Sequence, residues 1–297
     1  MGEMSSRCKL CGNNESCLIQ VGARHAQEAE IRCCTGCGLV FLSPQPSREE
    51  LELYYTSGYR KEFLEPPVAE RHRNDLDAAY LRVQRLLPRL RPETRLLEVG
   101  CGFGAFLYAV RPYVREVMGV EPDATARSWI KQTLGLKMLE KIPPAGSGQE
   151  AFDLVVSFHV LEHVPDPVAF LTKLRKVLRP GGEFVVEVPN VVDALVEVYR
   201  VSSYLQFYYQ KAHLYYFSKQ TLALALEKAG YEAVISGVQR YDLSNHMRWM
   251  LTGQPGDHGY YGDILAPAVQ AAYADALIRS GHADTLWGVA RNSLASQ

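Results

Sequence analysis

Arg95-Leu96-Leu97-Glu98-Val99-Gly100-Cys101-Gly102-Phe103-Gly104-Ala105-Phe106-Leu107 decides how the rest of the chain is read. An apolar run closing on β-branched Val99 gives way to three glycines at alternate positions, and apolar spacing resumes at Phe106, Leu107 and Val110. The pattern is that of strand, tight turn and helix. Glycine at these positions frees the backbone for positive φ and for close approach of a ligand, and the start of the helix offers unpaired N–H groups. The G-x-G-x-G spacing is not the dinucleotide fingerprint G-x-G-x-x-G. Glu98 precedes the turn, and a second strand, Glu116-Val117-Met118-Gly119-Val120, ends in acidic Glu121. An acid about twenty residues beyond such a turn is placed to accept hydrogen bonds from a ribose diol.

Outward from this stretch, helix and strand signals alternate: a helix over 124–134, a weak strand at 137–139, a strand over 152–158, a helix over 167–178 and a strand over 183–188. This alternation predicts a parallel sheet covered on both faces, with a ligand at the carboxyl ends of its strands. Upstream, apolar residues at Leu76, Ala79, Tyr80, Val83, Leu86 and Leu87 trace one face of a helix between Ala69 and Leu90. Arg71, His72 and Arg73 at its start are read as a solvated face unless the substrate is anionic.

With Phe152-Asp153-Leu154-Val155-Val156-Ser157 and Leu178-Arg179-Pro180-Gly181-Gly182-Glu183-Phe184, the glycine turn and its acid resemble the class I S-adenosylmethionine-dependent methyltransferases over roughly residues 91 to 242. The resemblance implies an α/β, seven-stranded Rossmann-like sheet of order 3-2-1-4-5-7-6, the seventh strand antiparallel. Residues 231–241 would supply strand six and 284–290 strand seven, with an insertion over 244–281 that is helical after Asp263. It also implies S-adenosylmethionine as cofactor, bound by Glu98, Gly100, Cys101, Gly102, Gly104, Glu121, Pro122, Ser157 and His159. The glycine turn would hold the methionine part and Glu121 the ribose, with adenine near 138–140.

Six of the seven cysteines lie in the first 37 residues, as Cys8-Lys9-Leu10-Cys11-Gly12 and Cys34-Thr35-Gly36-Cys37-Gly38 with Cys17 and Cys33 to spare. Two C-x-x-C-G knuckles supply the four thiolates of a tetrahedral structural zinc, so Cys8, Cys11, Cys34 and Cys37 are the expected ligands. Disulfides are the rival reading. The N-terminal stretch has no apolar secretory segment and no run of eighteen apolar residues occurs, so the expectation is a cytoplasmic chain without a membrane span, where metal binding is favoured. The expected layout is a zinc module over 1–43, an aromatic and helical bridge over 44–92, and a methyltransferase domain over 93–297. In the bridge, Ser47 and Glu50 spell a capping box, and Tyr54, Tyr55 and Tyr59 form interdomain core or a lid over the cofactor.

His159-Val160-Leu161-Glu162-His163-Val164-Pro165-Asp166 follows the fourth strand. His159, Glu162 and His163 carry metal-ligand chemistry, but metal-independent members share this tract, where it shapes the loop and caps the next helix. Residues 199–218 hold eight aromatic rings, part core and part substrate face. Within them His213-Leu214-Tyr215-Tyr216-Phe217-Ser218 resembles the His-x-x-Tyr-Phe-Ser tract of zinc-containing sugar C-methyltransferases, in which the histidine is the general base. Those enzymes have glutamate where Ala212 stands and a large C-terminal domain that this sequence lacks. The resemblance therefore carries over His213 as base, with Tyr215 orienting the acceptor and His159 as the substitute base. The expected reaction is methyl transfer to a hydroxyl of a small-molecule or sugar or glycan-type acceptor. Sugar C-methylation, RNA base methylation and a non-catalytic cofactor-binding scaffold stand as alternatives. Net charge −1 gives no global attraction to nucleic acid, and the aromatic segment leaves a homodimer open.

Overall fold

A strand buried on both faces needs no polar alternation, and Leu96, Leu97, Glu98 and Val99 are all buried at the middle of a twisted sheet in the computed structural model of the chain. The structure describes residues 7–53, 67–144, 152–256, 259, 261–262 and 264–292. The strands are β1 (Ser16–Ala23), β2 (Ala26–Cys34), β3 (Val40–Ser43), β4 (Arg95–Val99), β5 (Glu116–Val120), β6 (Lys137–Leu139), β7 (Phe152–Phe158), β8 (Leu178–Pro189), β9 (Tyr215–Tyr216), β10 (Tyr231–Val238) and β11 (Thr285–Asn292). The larger sheet runs β10-β11-β8-β7-β4-β5-β6. Its five central and edge strands from β8 to β6 pair in parallel, and β11 lies antiparallel between β8 and β10. Counted from β4 within this sheet, the order reads 3-2-1-4-5-7-6. Some strand ends differ from the sequence reading: β8 begins at Leu178, five residues before Glu183, and β10 stops at Val238.

Successive residues of a strand face opposite sides, and here they feed two cores. Leu97 and Val155 pack with Leu171, Leu174, Leu222 and Leu226 of the helices Pro167–Arg175 and Lys219–Lys228. Leu96, Leu154 and Val156 pack with Ala79, Val83, Leu86, Phe106 and Leu107 on the other side. The helix expected over 69–90 is broken. It comprises Val68–Asn74 and Leu76–Leu86, divided at Asp75, and ends in a 3₁₀ turn at Leu87–Arg89. Pro88 lacks an N–H and opposes continuation of the α-helix there. The capping box forms as read: Glu50 N–H donates to Ser47 Oγ at 3.2 Å and Ser47 N–H to Glu50 Oε2 at 2.7 Å. Tyr54, Tyr55 and Tyr59 lie outside the described residues.

The cysteine-rich head does not stand apart from the rest. Its strands join β9 in a sheet of order β1-β2-β3-β9, and Cys8, Leu10, Cys34 and Leu39 share one apolar cluster with Val186, Leu214 and Phe217. The insertion is helical on both sides of Asp263, at Leu243–Thr252 and Pro267–Ser280, where the sequence reading placed helix only after it. Asp242 opens the first of these by accepting from Asn245 N–H at 2.8 Å. Among the described residues no helix is long and apolar enough to cross a membrane.

Candidate active site

The three glycines of the turn have φ of +77°, +52° and +72°, conformations that side chains with a Cβ rarely adopt. A Cβ on Gly100 would stand 2.2 Å from Val160 Cγ2, whereas a Cβ on Gly102 would meet nothing within 4 Å. Gly100 is thus required by packing as well as by φ, and Gly102 presents bare backbone to open space. The turn is tied to the next strand, since Gly100 N–H donates to Val120 O at 2.8 Å. Gly102 N–H and Asp123 N–H donate to the two carboxylate oxygens of Glu121 at 2.9 and 3.0 Å. His72 was expected on a solvated face but is buried, its Nδ1 2.9 Å from Phe103 O and its ring against Tyr108 and Trp129. It braces the turn from the bridge.

A cavity of about 530 Å³ opens at the carboxyl ends of β4, β7 and β8, over Glu98, Gly100, Cys101, Gly102 and Phe103. Glu98 is 4% exposed, and its Oε2 has no hydrogen-bond partner. Burial pushes its carboxyl up to about 8, against the pull of Arg82. The far wall is aromatic and cationic, with Tyr204, Phe207, Trp249, Arg24 and Arg240. Arg82 donates from Nε and Nη2 to Glu187 at 2.9 Å each. Burial alone would raise the Glu187 carboxyl, but Arg82 and His159 hold it well below the usual carboxylate range.

His159 lines the cavity, with φ +54°. Its Nε2 lies 2.9 Å from Glu187 Oε1 and 2.6 Å from Arg240 Nη1, and its Nδ1 3.3 Å from Glu162 Oε1. Burial opposes its protonation, yet Glu162 and Glu187 outweigh this and raise its pKa. His213 also lines the cavity. Its Nε2 lies 2.7 Å from Gln210 Nε2, and Arg24 donates to the Gln210 amide oxygen, so the amide nitrogen donates to the ring. Burial, then the neighbouring His163, lower its pKa to about 3.

The head gathers four thiols. Cys8 and Cys37 sulfurs are 3.6 Å apart and those of Cys11 and Cys34 3.5 Å. Thiolates around one tetrahedral ion at ~2.3 Å stand roughly 3.8 Å apart. Gly12 and Gly38 take φ of +79° and +78° and donate N–H to Cys8 O and Cys34 O, so both knuckles close by the same turn. Cys33 instead pairs across the β1–β2 ladder with Cys17, away from the cluster.

Residues 70–236 match the model of a family described as a methyltransferase domain. That is more than half of the chain. The chain belongs to the methyltransferase-domain family. A ubiquinone biosynthesis O-methyltransferase of Rhodopseudomonas palustris is 31% identical over 105 residues, covering 32% of this chain and 40% of that protein. A tRNA U34 carboxymethyltransferase of Pseudoalteromonas translucida is 34% identical over 112 residues, 35% of each chain. The match thus spans about 40% of the length of the first of these relatives. A solved S-adenosylmethionine-dependent methyltransferase from Archaeoglobus fulgidus aligns with a TM-score of 0.50 at 18% identity, covering 75% of this chain and 96% of that one, a likeness of fold.

In this methyltransferase domain the predicted cofactor residues fall into two groups. Glu98, Gly100, Cys101, Gly102 and His159 line the cavity, and Gly104 and Glu121 build the turn beside it. Ser157 does not reach it: fully buried, it donates to Val99 O at 3.2 Å and stitches β7 to β4. Pro122 is exposed outside the cavity. Tyr215 is turned away as well. Its hydroxyl donates to Pro165 O at 2.9 Å and faces Gln45, because the residue pairs with Phe41 in the head sheet. Glu187, Arg82 and Arg240 were missed. Only Glu187 left a signal, a carboxylate inside the buried run Phe184-Val185-Val186-Glu187-Val188.

Proposed function

We propose that this methyltransferase transfers the methyl group of S-adenosylmethionine to a hydroxyl of a small-molecule or sugar-type acceptor. The observation that carries the reading is Glu98: a buried carboxylate oxygen with no partner, at the floor of a cavity whose next wall is the bare backbone of Gly102. Such an orphaned oxygen fits the ammonium of an amino acid moiety, and the Glu121 carboxylate beside the turn fits a diol. When bound, S-adenosylmethionine supplies a methyl already activated on a sulfonium. What remains for the chain is to align the acceptor, shield it from water and receive its proton.

The aromatic wall at Tyr204, Phe207 and Trp249 gives an acceptor ring or sugar face a surface to stack on. Holding reactants in line supplies roughly 7–11 kcal/mol of the barrier. His159, backed by Glu187 at 2.9 Å, is the group proposed to take the proton. His213, the base suggested by the sequence, is the weaker base of the two, because burial and then His163 lower its pKa to about 3 while Glu162 and Glu187 raise that of His159. In the head, Cys8, Cys11, Cys34 and Cys37 are proposed to hold a structural zinc, which their sulfur spacing fits.

The test is calorimetric titration with S-adenosylmethionine and its demethylated product, followed by methyl transfer from radiolabelled cofactor to panels of hydroxylated aromatics and sugars. Binding lost in Glu98→Gln and labelled ether products support the reading. Absence of cofactor binding at millimolar concentration overturns it.

A further inference from the structure

Glu162 is 1% exposed, and neither carboxylate oxygen makes a hydrogen bond of good geometry. The nearest ring nitrogens stand off from its Oε1, His159 Nδ1 at 3.3 Å and His163 Nε2 at 4.0 Å. Burying a carboxylate charge without such bonds is costly, and coordination of a cation is one of the few arrangements that offsets it. Around it the folded chain gathers one nitrogen each from His163 and His213, and these three ligand atoms lie within 4.8 Å of one another. The sequence offered His159, Glu162 and His163 as the contiguous set. The structure engages His159 Nε2 with Glu187 and Arg240, keeps its Nδ1 3.3 Å from Glu162, and brings in His213 from fifty residues downstream (213 − 163).

We propose that Glu162, His163 and His213 form a second metal site, for a divalent first-row transition ion. Two imidazoles and one carboxylate are the donor set that borderline ions of this kind take, with a coordination position left for a further ligand. The orientation of His163 is already prepared. Its Nδ1 donates to Ala212 O at 2.8 Å, which leaves Nε2 as the lone-pair nitrogen facing Glu162 at 4.0 Å. The rings of His163 and His213 meet edge to face with centroids 4.8 Å apart. Ligands bonded at ~2.1 Å around a tetrahedral ion stand roughly 3.4 Å apart, so the set draws in by about an ångström on binding. For His213 this means exchanging the donation from Gln210 for the ion. His213 is the ligand that lines the cavity, so the open position faces the acceptor space.

The site is separable from the cysteine cluster by its donors. The purified chain, stripped of metal and titrated with cobalt(II), should take two equivalents, one with an intense sulfur-to-cobalt charge-transfer band and one with weak ligand-field bands only. Glu162→Gln and His213→Asn should each lose the second equivalent and keep the first, while Cys34→Ser should do the reverse. Wild-type protein that binds only the thiolate-type equivalent overturns the proposal, whatever the variants do. Two equivalents retained by both Glu162→Gln and His213→Asn also overturn it. The readout is metal content and spectrum, so a failure of the methyl-transfer reading would leave it unaffected.

Discussion

The backbone N–H of Gly102 donates to Glu121 Oε2 at 2.9 Å, joining the glycine turn to the residue that ends the neighbouring strand. One carboxylate therefore shapes the turn and stands beside the cavity. Glu121→Ala should weaken S-adenosylmethionine binding by roughly 1.5–3 kcal/mol, the range for a hydrogen bond to a charged group. Glu121→Gln, which keeps one acceptor oxygen, should lose less. Calorimetry showing equal affinity for wild type and Glu121→Ala would remove Glu121 from the site.

Glu98 carries a pH dependence of known sign. With its carboxyl pushed up to about 8 by burial, binding of an ammonium requires the proton to leave, so cofactor affinity should rise from pH 6 toward pH 8 and then level. The ratio of wild-type to Glu98→Gln affinity isolates this term from titration of the cofactor itself. That ratio should increase by up to about tenfold per pH unit below 8. A ratio independent of pH would mean that Glu98 does not meet a cation.

Gly100→Ala puts a Cβ 2.2 Å from Val160 Cγ2 at a φ of +77°. Clash and left-handed backbone together should destabilise the fold by about 2–4 kcal/mol. Adding Val160→Ala should recover the clash but not the backbone cost, so the double variant should lie between Gly100→Ala and wild type in urea unfolding. Additive losses would show that Val160 is not what the methyl meets.

Cys34→Ser should abolish the metal binding proposed for the head and lower the melting temperature far more than Cys33→Ser, since Cys33 pairs with Cys17 across β1 and β2 instead of joining the cluster. Because the head packs into the main core, a chelator should also loosen the catalytic sheet. Equal effects of the two substitutions, read by metal analysis and thermal melting, would count against the four-thiolate assignment.

Asp193 accepts from Leu195 N–H and from the Tyr204 hydroxyl, both at 2.7 Å, yet burial raises its carboxyl to about 7 from 3.8. A raised acid binds more protons folded than unfolded, so it costs stability as pH climbs through that window. Wild type should lose as much as about 4 kcal/mol between pH 4 and pH 7 from this group. Asp193→Asn should flatten that part of the profile, as measured by urea midpoints across the range.

The fold was legible because its determinants are local. A buried parallel strand needs an unbroken apolar run, a ligand-facing turn needs glycines at set positions, and two knuckles need their C-x-x-C-G spacing, and all are written within a few residues of one another. Glu98 and Glu121 could be placed for the same reason. What only the tertiary structure decided is where long-range pairing turns each side chain. Tyr215 and His213 are two residues apart, but pairing of β9 with β3 turns the tyrosine hydroxyl to Pro165 while His213 faces the cavity. The same packing brings His213, fifty residues beyond His163, to within 4.8 Å of the ligand atoms of Glu162 and His163. Charge placed in a dry interior depends on which distant groups converge there, and no spacing along the chain records that convergence.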